Sequence, residues 1–229
     1  MSRTVAVARV HTLDVQQAIW PWAIMTISFI VNLALWVALG HVDGFQKTTG
    51  GLLSLYITAL FVAAIALSRQ LPFMLGLGVT RAAFLSGGLL FSVGCAGVTG
   101  VALTLLNLVE GATGGFGQGG SFFRVPWLTD VPTYQLFAVY AVPMLLVIAV
   151  GAFVSGLYAR LGMTGVLLAF VAAMVVGAVG VVLVTLADDW QAVGRWILAL
   201  TPMSLTGWLL VVAGAALLGT YAVLRRAPV

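Results

Sequence analysis

The chain has 229 residues, of which 62% are hydrophobic and only 7% are charged. Soluble domains contain roughly 45–50% apolar and about 25% charged residues, so a water-soluble fold could not cover this much apolar surface. The net charge of +4 comes from scattered basic residues without the dense cluster that binds nucleic acid. We therefore expect an integral membrane protein that is surrounded by lipid.

The first 18 residues precede the apolar part of the chain. Val5, Val7, Val10 and Leu13 alternate with polar residues, a pattern that favours an amphipathic interfacial segment on the cytoplasmic membrane surface. A frayed end fits the pattern equally well. The segment lacks the uninterrupted apolar core of a signal peptide, so we expect it to be retained.

Six apolar stretches of 17 to 28 residues follow. Roughly 20 residues are needed to cross a hydrocarbon core of about 30 Å. The stretches cover residues 19–39, 51–67, 82–109, 136–157, 164–186 and 203–224. The sequence thus predicts an all-α fold. We expect a single polytopic membrane helix bundle over residues 19–229, with about six transmembrane helices.

The connections between these stretches alternate in charge. One set contains seven arginines and one acid, Asp14, whereas the other contains three basic residues and five acids. Because basic residues concentrate in cytoplasmic loops, we expect the first set, which includes residues 1–18 and 68–81, to be cytoplasmic. Both termini are then cytoplasmic, and residues 110–135 and 187–202 are external.

The two long external connections differ in composition. Residues 111–123 are rich in glycine, which predicts a flexible linker. The segment 188–202 is too short and too polar to cross the membrane, but Trp190, Trp196 and Leu200 favour a short helix in the outer interface that ends before Pro202. A plain surface loop is the alternative for this segment.

The spans contain few groups that could perform catalysis. No Asp, Glu, Lys, Arg or His lies in the middle of a predicted span, which disfavours a proton relay. His11 and His41 fall on opposite sides of the membrane, Lys47 lacks a phosphate-binding motif, and Cys95 has no disulfide partner. We expect no enzyme activity, metal or cofactor in this chain.

Two amide side chains lie near the spans, Asn32 and Asn107. Each is expected to form a hydrogen bond between helices.

The cytoplasmic connection after the second span has the sequence SRQLPFMLGLGVTRAAFLSGG. Arg69 and Arg81 bracket an apolar face, Pro72 suits the first turn of a short helix, and Thr80 can cap the next span. These features favour a docking element for a cytosolic partner.

This segment resembles the corresponding loop in the small six-span permease subunits of bacterial ABC-2 type transporters, and the predicted topology matches that family along the chain. The resemblance implies a plasma-membrane permease that pairs with itself or with a related permease. Its first cytoplasmic loop would be the coupling helix for a separate ATP-binding subunit, which alone binds ATP. The positions implied to contact that ATPase are Arg69, Pro72, Phe73, Gly76, Gly78, Thr80, Arg81 and Phe84. The glycine-rich loop departs from the family pattern.

We therefore expect the membrane subunit of an ATP-driven exporter, whose substrate is lipophilic or amphipathic because the spans are apolar. A membrane anchor or assembly subunit that recruits a cytosolic protein through the same loop is the main alternative. A secondary carrier is less favoured, since the first three spans and the last three show no internal repeat.

Overall fold

The structure is a computed structural model that describes residues 15–40 and 47–225. Its helices are α1 (Val15–Leu39), α2 (Leu53–Gly76), α3 (Arg81–Ala112), α4 (Thr133–Leu186), α5 (Trp190–Leu198) and α6 (Pro202–Leu224), with one π-helical turn at Gly115–Gly119. All except α5 are long and apolar enough to cross a membrane, which makes five candidate spans. The described residues therefore fit a helical membrane protein.

The longest helix, α4, has 54 residues but is not continuous. Its backbone breaks at Gly162, where φ is 67° and ψ is −165°. Side chains with a Cβ atom strongly disfavour this conformation, so glycine is needed at the break. The break divides α4 into residues 133–161 and 163–186, close to the fourth and fifth apolar stretches of the sequence.

The first segment of α4 lies at the centre of the bundle. α4 contacts α2, α3 and α6, α1 packs on α2, and α2 and α3 make few contacts with each other. Close packing against α2 occurs at Gly151, where a Cβ atom would approach the Ala63 side chain to 2.7 Å. The second segment differs, since nearly all of residues 163–186 are exposed.

Two clusters of buried residues mark opposite ends of the bundle. The larger one includes Trp36, Phe122 and Tyr140 and lies towards the connection between α3 and α4. We call this the glycine-rich end. The smaller one contains Leu71, Met74, Phe84 and Leu224 and lies at the turn between α2 and α3, which we call the α2–α3 end.

Several local expectations can be compared with these elements. The interfacial segment predicted over residues 1–18 lies mostly outside the described residues, and residues 15–18 begin α1. The predicted short helix between the last two long apolar stretches is confirmed as α5. The separate short helix beginning at Pro72 was a wrong expectation, because α2 continues through Pro72 to Gly76. Proline removes one N–H group and crowds the carbonyl of the preceding turn, but burial of Leu71 and Met74 beside it offsets this cost and keeps the helix continuous.

Candidate functional site

The eight residues implied to couple to an ATPase fall into different environments at the α2–α3 end. Phe84 is fully buried, and Arg81 is half-buried. The other six are exposed: Arg69, Pro72, Phe73, Gly76, Gly78 and Thr80. The exposed group includes a large apolar side chain, since Phe73 is 64% exposed. Leu77, which is 65% exposed, extends this apolar surface onto the turn.

The turn itself is tightly built. The N–H groups of Gly78 and Val79 donate to the carbonyls of Leu75 and Met74 at 3.0 and 3.1 Å, which satisfies acceptors at the end of α2. Thr80 then caps α3, because its hydroxyl accepts the N–H of Ala83 at 3.2 Å. The expected capping role of Thr80 is therefore confirmed.

Two of the implied coupling residues also connect this turn to the last helix. The Nη1 group of Arg81 donates to the carbonyls of Leu224 and Arg225, each at 3.4 Å. The cation thus lies at the C-terminus of α6, where the helix dipole favours positive charge. Phe84 packs with Leu224 in the smaller buried cluster. Arg81 and Phe84 therefore position α6 against the turn, a role that sequence reasoning missed.

An apolar cleft of about 1070 Å³ opens between α2 and α3, where these helices make few contacts. Its walls come from α1, α2, α3, the first segment of α4 and α6, and it extends from Phe84 at the α2–α3 end to Thr99 and Met144. The described lining residues include no acid, lysine, arginine or histidine. Such a cleft is suited to hold a lipophilic molecule.

The glycine-rich end is organised around one buried carboxylate. Glu110, near the end of α3, is only 1% exposed. Its carboxylate accepts the backbone N–H groups of Phe122 at 2.5 Å, Phe123 at 2.8 Å and Arg124 at 2.6 Å. Hydrogen bonds to a charged group are among the strong ones, so this side chain pins the following loop to α3.

A second polar network lies beside the carboxylate. The Tyr140 hydroxyl donates to the Phe123 carbonyl at 2.7 Å and accepts from Asn107 Nδ2 at 2.9 Å, while the Tyr56 hydroxyl donates to the Tyr140 carbonyl at 3.2 Å. The expected helix-to-helix bond of Asn107 is confirmed. The same expectation for Asn32 is wrong, because its amide donates to the Ser28 carbonyl of its own helix at 2.8 Å.

The glycine-rich run is anchored to the bundle at several residues, in contrast to the predicted flexible linker, while residues 111–114, 117 and 119 are exposed. Phe116 and Phe122 meet the Phe29 ring edge-to-face, with centroids 5.0 and 5.2 Å away. Lys47 Nζ donates to the carbonyl of Gln118 at 3.0 Å, and a Cβ atom at Gly120 would overlap the Trp36 ring. Glycine here allows close approach to helices, whereas composition alone indicates only chain flexibility.

Sequence reasoning treated Glu110 as an external acid and overlooked Tyr56 and Tyr140. The available signal was a single carboxylate at the end of an apolar stretch, followed after a glycine-rich run by two phenylalanines. The contact that Ser155 makes between two helices was not predicted. The Ser155 hydroxyl accepts the backbone N–H of Ser68 at 2.7 Å and thereby joins α4 to α2.

Comparison with protein-family models, with curated proteins and with solved structures finds no match for this chain. Within the described residues, no group of three or more histidine, cysteine or acidic side chains is placed to hold a metal ion. The cleft and the two ends of the bundle are therefore the features of this chain that bear on its function.

Proposed function

We propose that the chain is the permease subunit of an ATP-driven ABC-type transporter in a bacterial plasma membrane. It exports a lipophilic or amphipathic substrate, and a separate ATPase subunit supplies the energy. The main support is the apolar cleft, because Ala82 and Phe84 line it and directly follow the exposed segment that resembles a coupling loop. A partner bound to Phe73 and Leu77 is thus close to a path for apolar molecules.

The proposal includes six membrane crossings with both termini in the cytoplasm. A straight helix of 54 residues would be about 80 Å long, compared with about 30 Å of hydrocarbon, which favours one crossing for each segment of α4. Arg160 lies two residues before the break at Gly162 and adds to the positive charge expected on the cytoplasmic side. The α2–α3 end then faces the cytoplasm.

In this mechanism, the ATPase closes on the exposed apolar surface of Phe73 and Leu77. Because α2 runs unbroken from the membrane into this surface, movement of its end tilts the wall of the cleft. The buried contact between Phe84 and Leu224 transmits the movement to α6. Closure of the ATPase thereby biases a two-state bundle, and a second permease copy or a related permease completes the pathway.

Co-purification in mild detergent tests the partnership. We expect an ATP-hydrolysing protein to accompany the tagged native chain and to be lost from the Phe73→Asp variant, which places a charge on an apolar docking surface. Leu198→Asp is the matched control, since Leu198 is 88% exposed on α5, away from the α2–α3 end. Absence of any ATPase from the native sample, or equal loss in both variants, contradicts the proposal.

Reconstitution separates the permease from a membrane anchor. A permease stimulates ATP hydrolysis by its partner in liposomes and moves a lipophilic probe in an ATP-dependent manner. An anchor binds the partner without either effect.

Topology is tested in a Cys95→Ser background, where an impermeant maleimide should reach Leu77→Cys only from the cytoplasm and Leu198→Cys only from outside.

A further inference from the structure

The cleft has the dimensions of a lipid-binding site. Its lining on α3 runs from Ala82 to Thr99, a rise of about 26 Å at 1.5 Å per residue. One leaflet of the hydrocarbon core is roughly 15 Å deep, half of about 30 Å. The volume of about 1070 Å³ exceeds the roughly 300–1,000 Å³ of pockets for drug-sized ligands. The cleft therefore accommodates a molecule with long apolar chains.

The cleft is open towards the side of the bundle. Lining residues Leu90 and Val98 of α3 are 49% and 65% exposed, and Leu218 of α6 is 72% exposed. A surface with this apolar character on a membrane helix faces acyl chains. A lipid can therefore enter laterally from the bilayer and does not have to pass through water.

Arg81 lies beside the cleft at the α2–α3 end. It directly precedes the lining residue Ala82, and its Nη1 atom bonds to the carbonyl of Leu224, about one helical turn after the lining residue Tyr221. Arginine has five N–H donors, and the bonds of Arg81 to described residues engage only Nη1. Its remaining donors suit a phosphate group. The described carboxylates all lie in other parts of the chain: Glu110, Asp130, Asp188 and Asp189.

From the combination of length, lateral opening and charge, we infer that the cleft binds one anionic diacyl phospholipid from the leaflet next to the α2–α3 end. The acyl chains lie along α3 between α2 and α6. The phosphate lies at Arg81, which simultaneously caps α6. The bound lipid fills the gap between α2 and α3, so this site does not depend on whether the chain transports anything.

Native mass spectrometry of the purified chain tests this inference without an ATPase. The sample is delipidated in detergent and titrated with phosphatidylglycerol or with phosphatidylethanolamine of the same acyl chains. We expect one phosphatidylglycerol molecule per chain to bind preferentially. Equal binding of both lipids, or no lipid binding by the native chain, overturns the inference, whatever the outcome of the ATPase experiment.

Two glycines of the cleft permit a filling test with matched controls. Gly94 lines the cleft, whereas Gly97 of the same helix does not, and a Cβ atom at either position meets nothing within 4 Å. Gly94→Leu should therefore block the lipid, and Gly97→Leu should leave binding unchanged. Gly214→Leu and Gly207→Leu form the same kind of pair on α6. Equal lipid binding by both members of each pair overturns the assignment to this cleft.

Replacement of Arg81 tests the headgroup contact. We expect Arg81→Gln to weaken phosphatidylglycerol binding about five-fold, the factor associated with one basic residue at an anionic membrane surface. Phosphatidylethanolamine, whose ammonium group offsets its phosphate charge, should lose less, so the preference between the two lipids should largely disappear. Arg195→Gln, on α5, is the control and should change neither. If folded Arg81→Gln keeps the preference for phosphatidylglycerol, the contact between Arg81 and the headgroup is contradicted.

The oligomeric state of Gly94→Leu gives a further test. A shift from dimer to monomer in this variant without loss of lipid would assign the cleft to a second copy of the chain and overturn the inference.

Discussion

The glycine-rich end and the α2–α3 end of this bundle are built in contrasting ways. At the glycine-rich end, the Glu110 carboxylate binds three backbone N–H groups, and Tyr140 links the loop to α3. At the α2–α3 end, a short turn leaves Phe73 and Leu77 exposed beside an open cleft. The first end is closed by buried polar bonds, whereas the second offers apolar surface.

This difference indicates at which end the helices can move at a low cost in free energy. Breaking a buried charge-assisted hydrogen bond leaves donors without partners, so the glycine-rich end resists opening. At the α2–α3 end, α2 and α3 make few contacts with each other, so their separation can change while the hydrogen bond between Ser68 and Ser155 keeps α2 on α4. A partner or a ligand would therefore act on the α2–α3 end while the glycine-rich end stays fixed.

The largest expected effect comes from removing the carboxylate. Glu110→Ala leaves three backbone N–H groups without their acceptor, two of them buried, and at about 1–3 kcal/mol for each buried donor the free energy of unfolding should fall by at least ~2 kcal/mol. Denaturant titration in detergent measures this change. The exposed Asp130 of the same connection provides the control, and Asp130→Ala should alter stability little. Equal effects would show that the loop is not pinned by Glu110.

Added methyl groups sharpen the comparison of packing at the two ends. Gly120→Ala should destabilise the protein by roughly 1–3 kcal/mol, because the new Cβ atom overlaps the Trp36 ring. Gly76→Ala at the end of α2 meets nothing within 4 Å and should stabilise it by up to about 1 kcal/mol through helix propensity. Thermal unfolding of both variants checks the opposite signs. Two changes of the same sign would contradict the contrast between the ends.

Loss of a single hydroxyl tests the second polar network. Tyr140→Phe removes the donor to the Phe123 carbonyl and the acceptor for Asn107, which should cost roughly 1–3 kcal/mol because both partners are buried. Limited proteolysis of the glycine-rich loop should become faster in parallel. Tyr158→Phe is the matched change at an exposed position of α4, and no acceleration is expected there.

The smallest effect is expected at the turn of the α2–α3 end. Thr80→Ala removes the cap of α3 and should lower stability by about 1 kcal/mol, whereas Thr80→Ser keeps the hydroxyl and should be close to the native protein. Denaturant titration distinguishes these variants. An effect of Thr80→Ala as large as that of Glu110→Ala would show that both ends are equally constrained.

Much of the fold follows from apolar length alone. Stretches of about 20 apolar residues predict helices in lipid, because every backbone polar group must bond within its own segment there. The sequence therefore located the long helices and the short helix α5. The separate helix predicted to begin at Pro72 is not formed, because burial of Leu71 and Met74 outweighs the local signal of a helix start.

The sequence by itself determined the membrane class, the approximate helix boundaries and the cap at Thr80. Only the tertiary structure decided that Glu110 organises the glycine-rich end, that Arg81 caps α6, and that a cleft separates α2 from α3. The physical reason is the range of the interactions involved. Helix formation and capping depend on neighbours within a turn or two, whereas these contacts join residues that only the packed bundle brings together.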